Sequence, residues 1–328
     1  MVNLGEKILN AIQRDFPLAS RPFAAVGQRL GLSEEEVLAE LRRLRQTGAL
    51  RAIAVVFEPR RLGYVGGLCA MKAPRERLDE IAALVNRYPE VTHNYSRDHA
   101  YCLWFALVAR SRERIEEIVR ELRQRTGIAD IFPVYTRRRF KISATFRLGE
   151  EEPVEDVQPA QEQAAAKAPP IVPALVRELA RGLELVEEPY GELSQRVGMP
   201  PQEIIRHIRG YLQSGVARRF GALVRPTAAG VAASAMIVWR VPGGPDEVER
   251  AGRAFARFAQ VSHCYERDTL PDFPYNLYTM VHANTREQCL AVAREMAQRA
   301  GVEDFRALFT VREYKKTSPA YFAEEGQG

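Results

Sequence analysis

No apolar run in the 328-residue chain approaches the ~20 residues that a bilayer span needs. The amino terminus, MVNLGEKILNAIQRDFP, is amphipathic and has no apolar signal core, which points to the cytoplasm. Cysteine is scarce. Cys69, Cys102, Cys264 and Cys289 are scattered without a Cys-x-x-Cys pair, which argues against a zinc site or a disulfide framework. No glycine-rich nucleotide loop occurs either. What remains is an ordinary globular composition, 46% hydrophobic and 27% charged, long enough for about two domains. The net charge of +5 suits nucleic acid and a polycarboxylate ligand equally well.

The most informative stretch is Val91 to Ala109, VTHNYSRDHAYCLWFALVA, which returns at Val261 to Ala283 as VSHCYERDTLPDFPYNLYTMVHA. His93 recurs as His263, Tyr95 as Tyr265 and Arg97 as Arg267. The second copy then gains LPDF-like residues, and Tyr101 corresponds to Tyr275. A strand pair needs alternating apolar and polar residues, not histidine and arginine at matched places. The recurrence therefore marks a site.

Around this stretch the whole chain is duplicated. PFAAVGQRLGLSEEEVLAELRRLRQTGALRAIAVVFEP returns as PYGELSQRVGMPPQEIIRHIRGYLQSGVARRFGALVRP, and TGIADIFPVYTRRRFKI returns as AGVEDFRALFTVREYKK. Each copy begins with helical spacing. Pro22 suits a helix start, Gly31 a turn, and Ser33 with Glu36 a capping box, with Gly48 as the stop of the third helix. With the strand-like LRAIAVVFEP, this spells a winged helix-turn-helix over residues 1–62 and again over 171–229. Residues 63–148 and 230–328 read β-α-β-β-α-β, a ferredoxin-like unit. Residues 149–170 are acidic, Pro- and Ala-rich and without period, hence a linker. The expected fold class is α+β, a duplicated module with a pseudo-twofold inside one chain.

DNA binding is the first function to weigh. The third helix opens on Ser33, Glu34, Glu35 and Glu36, and its second copy on Pro200, Pro201, Gln202 and Glu203. Carboxylates facing phosphate oppose binding, so an inherited scaffold is the better reading, with Arg42, Arg43 and Arg45 on a solvated face. The basic strands TRRRFKI and VREYKK read either as a solvated edge or as a cationic wall for carboxylates. Alternation would place Arg137, Arg139 and Lys141 on one face and Arg138 with Phe140 on the other. In the second copy Arg312 and Lys315 stand for the same wall. His207 and His282 read as surface or structural residues.

A winged helix-turn-helix before a ferredoxin-like domain resembles the Lrp/AsnC regulators. The motifs HNYSRDHAYCLWF and SHCYERDTLPDFPYNLYTMVH, with the wings RAIAVVFEPRRLGY and RRFGALVRPTAAG, resemble more specifically the two subunit types of sirohaem decarboxylase, here fused. The departures are Cys102 against Asn276, and His99 against Thr269. The resemblance implies a carboxy-lyase that removes the C12 and C18 acetate carboxyls of sirohaem, in haem d1 or alternative haem biosynthesis. It also implies no cofactor beyond the iron that sirohaem carries. Loss of CO2 leaves negative charge on a methylene carbon, which an imidazolium can protonate.

On this reading the catalytic candidates are His93, His99, Arg97 and His263, with His93 or His99 as an axial ligand of the substrate iron. Tyr95, Tyr101, Trp104 and Phe105 would form an apolar pocket, and Tyr265, Arg267, Arg137, Arg138, Arg139, Lys141, Arg312 and Lys315 would bind substrate. The principal pocket is expected from His93, Arg97 and His99, with the Pro271–Pro274 insertion as lid or plug. Expected partners are sirohaem, a second copy of the chain and other haem-biosynthesis proteins, with neither specific DNA nor a membrane. The alternatives are a ligand-sensing regulator of the Lrp/AsnC kind and a haem-binding protein without turnover.

Overall fold

A computed structural model describes residues 3–142, 168–225 and 232–323. Most of the expected linker, residues 149–170, lies outside the described residues. Three helices open the chain: α1 (Leu4–Ile12), α2 (Pro22–Leu30) and α3 (Glu34–Gln46). Ser33 Oγ accepts from Glu36 N at 3.1 Å and Glu36 returns the bond to Ser33 N, the capping box read from sequence. Gly31 and Gly48 take positive φ at the ends of α2 and α3, where a side chain would be strained. The counterparts are α6 (Pro173–Arg181), α7 (Pro189–Val197) and α8 (Pro201–Gln213).

The strand after each triplet is not a wing hairpin. β1 (Leu50–Phe57) pairs antiparallel with its own counterpart β7 (Ala217–Val224), Val55 opposite Phe220. A lone strand must satisfy its backbone groups, and the other copy supplies the matching edge. The six helices and this ribbon close on one shared core that includes Phe16, Phe57, Tyr190, Phe220, Tyr321 and Phe322. Arg42 and Arg43 are exposed, as a solvated face requires, but Arg42 and the half-buried Arg45 also hold the second copy. They donate to the carbonyls of Leu185 (2.8 Å) and Leu183 (3.1 Å), between α6 and α7.

The first ferredoxin-like unit contains β2 (Val65–Met71), α4 (Leu78–Asn86), β3 (Val91–Arg97), β4 (Leu103–Ala109), α5 (Arg112–Thr126) and β5 (Ile131–Val134). The second contains β8 (Ala233–Trp239), α9 (Pro245–Ala256), β9 (Val261–Arg267), β10 (Leu277–Ala283), α10 (Arg286–Ala300) and β11 (Phe305–Lys316). The stretch expected as one closing strand in the first copy is two. After β5 the chain continues as β6 (Thr136–Ile142), which leaves its own unit and pairs with β9. β11 does the same in one piece: Phe305–Phe309 pairs with β8, and Thr310–Lys316 pairs with β3. The strand order is therefore β5-β2-β4-β3-β11-β8-β10-β9-β6, each half lending its last strand to the other.

The helices cover the outer faces. Ile81, Val85, Ile115 and Leu122 pack on Cys69, Leu103 and Phe105; Phe255, Ala293 and Met296 pack on Ile237, Leu277 and Val281. A fourth core joins inner faces of both halves: Trp104, Val134, Met236, Val238, Phe273, Tyr278 and Leu308. Alternation then decides the rest. Phe105 and its partner Asn94 face the helices, so Trp104 and its partner Tyr95 face inward, as do His93 and Arg97. By the same register His263 lies opposite Met280 and Tyr265 opposite Tyr278. No helix among the described residues is long and apolar enough to cross a membrane.

Candidate active site between the two sheets

Three histidines stand at the ribbon end of the inner faces. Burial is the largest cause in lowering His93 to about 3, with Lys316, Arg51 and His263 adding to it. It also lowers His263 to about 4, helped by Arg218, Arg267, Lys316 and Lys141. His282 is lowered to about 3 by burial, then by His263, Lys316 and Arg97. Each of the three residues is half-buried, on a recess between the inner faces of the two halves. Arg51 comes from β1 and Arg218 from β7, so the ribbon closes the recess with cations from above. His282 is thus no surface residue. It continues the inward row of Tyr278 and Met280 on β10.

Deeper in lie the two recurring arginines. Arg97 is 7% exposed, donates to Leu308 O at 2.8 Å and leaves Nε without a partner. Burial lowers it to about 10. Arg267 donates to Val134 O at 3.0 Å, leaves Nε equally unpartnered and lies 4.8 Å from the centre of the Tyr265 ring. The Tyr278 hydroxyl is buried without a hydrogen bond as well. Buried polar groups left unsatisfied are costly, so their clustering on one inner surface suits a polar ligand.

His99 does not join this group. It lies in the turn after β3, on the far side of Arg97, where Nδ1 accepts from Tyr101 N at 3.0 Å and the ring packs 5.3 Å from Phe273. The turn breaks the alternation that would have kept it beside His93. Tyr101 and Trp104 do not line the recess either. Both are 1% exposed, and Phe273 of the insertion plugs the space against them. Asp272 fixes the plug by accepting from Tyr101 Oη at 2.6 Å and pairing with Lys72. Phe105 belongs to the helix-facing core.

The basic strands are divided. Register shifts in β6 between Thr136 and Arg138, and between Arg139 and Lys141, break the expected alternation. Arg139 turns to Glu58 at 2.7 Å, which also accepts from Arg218 at 3.0 Å. Lys141 turns the other way, to Phe258 O at 2.8 Å, and Arg138 pairs with Glu266 and with Glu249 at 3.0 Å. Arg312 and Lys315 are likewise spent on α4 and its end, at Asp79 (2.8 Å), Asn86 O (3.0 Å) and Tyr88 O (3.1 Å). Lys316, opposite His93, is the cation that reaches the histidines. Arg137 bonds Asp268 at 2.6 Å in a separate cleft of about 790 Å³ lined by Arg60, Tyr64, Arg112 and Tyr135. That cleft holds no histidine, so the recess is the better candidate. Among the described residues no cluster of His, Cys, Asp and Glu could hold a metal ion.

Two family models match the chain: the AsnC-like ligand binding domain at residues 61–141 and 228–315, and the siroheme decarboxylase NirDL-like HTH domain at residues 6–51. The siroheme decarboxylase of Hydrogenobacter thermophilus is 35% identical over 99% of this chain and 97% of its own length. The chain belongs to the sirohaem decarboxylase family. The family's alpha subunit from Desulfovibrio desulfuricans is 41% identical over 45% of this chain and 85% of its own length, the size of one half. A crystal structure of the family member NirDL, in complex with an iron-uroporphyrin III analogue, superposes with TM-score 0.70 at 32% identity, covering 98% of this chain and 96% of that one.

Proposed function

We propose that this chain decarboxylates sirohaem at the C12 and C18 acetates, giving 12,18-didecarboxysirohaem with no cofactor beyond the substrate's own iron. The observation that carries the reading is the recess: three inward histidines ringed by Lys316, Arg51, Arg218, Arg97 and Arg267, in a member of this family. Arginines and lysine hold the ring carboxylates and fix the reacting acetate. The bond to its carboxyl breaks, CO2 leaves, and the electron pair stays on the methylene carbon, where the macrocycle spreads it. One proton then makes the methyl group. His93 and His263 divide proton delivery and contact with the iron, and Tyr95 and Tyr265 pack beside them at ring distances of 6.2 and 5.9 Å.

Anaerobic incubation with sirohaem, followed by mass analysis, should give a product lighter by two CO2. Unchanged mass with the ligand bound by absorbance would instead support a haem-binding protein without turnover. Specific DNA binding is not part of this reading. Glu34 is held by Arg21 and by Ala24 N at 3.0 Å, and Arg42 and Arg45 are occupied within the chain. Nanomolar, sequence-selective binding at physiological salt would contradict this.

A further inference from the structure

An unbroken chain of hydrogen bonds enters the recess from the second half. Ser234 Oγ lies 2.9 Å from His282 Nδ1, His282 Nε2 lies 2.7 Å from Ser262 Oγ, and Ser262 Oγ lies 2.8 Å from His263 Nδ1. Ser262 is only 4% exposed, whereas Ser234, near the start of β8, is half-buried. Among the described residues nothing bonds His263 Nε2. Among the described residues the first half has no such chain. His93 Nδ1 lies 2.9 Å from Thr92 Oγ1, but that hydroxyl donates to Ala106 O at 3.3 Å, and the position matching His282 is Val108.

We propose that Ser234, His282 and Ser262 form a proton relay that feeds His263 during decarboxylation. The inference rests on the decarboxylase reading above. The reaction consumes one proton per CO2 released, and a neutral imidazole is too weak an acid to give one unaided. Coupled transfer removes the difficulty. His263 Nε2–H goes to the methylene carbon as the Ser262 hydroxyl proton moves to Nδ1. His282 Nε2–H replaces the Ser262 proton, Ser234 supplies His282 Nδ1, and water replenishes Ser234. The net change is one solvent proton placed on carbon, with both imidazoles left neutral in the opposite tautomer. Exchange with water after CO2 leaves restores the starting tautomers. Ser262 and His282 act through His263 and are positioning residues. His263 is the catalytic one.

The test compares wild type with Ser262→Ala, Ser262→Thr and His282→Gln, each assayed with sirohaem anaerobically in mixtures of H2O and D2O. Wild type should show a curved proton inventory, the sign of several protons in flight. Ser262→Ala should lose ~10²-fold in rate and accumulate mono-decarboxylated product. Its inventory should be linear, and its affinity for iron uroporphyrin should stay within about threefold of wild type. Ser262→Thr, which keeps the hydroxyl, should recover rate and curvature, and His282→Gln should behave like Ser262→Ala. Wild-type turnover with Ser262→Ala at a similar rate and equally curved would overturn the relay alone. Absence of wild-type turnover would remove the decarboxylase reading and the relay with it.

Discussion

Beside β3, the inward positions of β4 are Trp104, Ala106 and Val108. Beside β9, those of β10 are Tyr278, Met280 and His282. The strands carrying His-x-Tyr-x-Arg are the same in both halves, but their neighbours differ. His93 faces the small Ala106, whereas His263 faces the long Met280. The charges differ too. Glu58 corresponds by repeat to Arg225, and Arg139 to Glu313. Glu58 therefore serves Arg139 and Arg218 on the second-half side, while on the first-half side Arg225 stands near Arg51 and Lys316 and Glu313 is the anion, 3.9 Å from Lys316. Duplication preserved the reacting strand while one side kept room and one further cation, Lys316 where the other copy has Ile142, and the other gained bulk and a second imidazole.

The strongest test of this comparison is removal of the imidazoles one at a time. His263→Ala should lower turnover by ~10²–10⁴, and His99→Ala, whose ring braces a turn, should stay near wild type, both measured by anaerobic mass analysis. A large loss in His99→Ala alone would return the site to the far end of β3.

Acidity comes next. The folded-state values of His93, His263 and His282 lie below the ordinary ~6.5, so the unfolded chain binds more protons between there and about 3 to 4. Stability is fully present above pH ~6.5 and falls on acidification, by up to about 1.4 kcal/mol per pH unit per histidine. Two of the three belong to the second half. His263→Gln with His282→Gln should therefore flatten the fall in Tm from pH 7 to 5 more than His93→Gln does. An equal effect of both would show that the recess does not hold the three as described.

Ala106→Met copies Met280 into the open side. It should weaken iron-uroporphyrin binding by about tenfold in an absorbance titration, worth ~1.4 kcal/mol, with Met280→Ala near wild type. The reverse ranking would put the ligand against β10. The smallest effect is expected from Glu58→Gln, which removes the anion between the partly exposed Arg139 and Arg218 and should cost roughly 0.5–1 kcal/mol in chemical denaturation.

The repeat and its pseudo-twofold were legible because the offsets between copies are regular, and the recurrence of His93, Tyr95 and Arg97 singled out the strand that carries the site. His99 misled because a turn follows Arg97 at once. The cationic wall misled because two register shifts in β6 and one between Glu313 and Lys315 in β11 change which residues face inward. Lys316 was missed for the same reason. His282 was available: it sits two residues beyond Met280 and four beyond Tyr278, on the same alternating row. The pairing of β1 with β7 left no mark, since a strand's sequence does not name its neighbour.

The exchanged arms β6 and β11 change what a mutation means. In two identical subunits joined by such arms, any substitution would appear on both sides of the axis, and a bulky methionine beside one histidine would sit beside the other as well. In this chain each substitution occurs once. Ala106 and Met280, or Val108 and His282, answer to different selective demands although they occupy equivalent places. Because each half completes the other's sheet, neither can drift free of its mate. The arms hold the two copies together closely enough that they are free to become unlike.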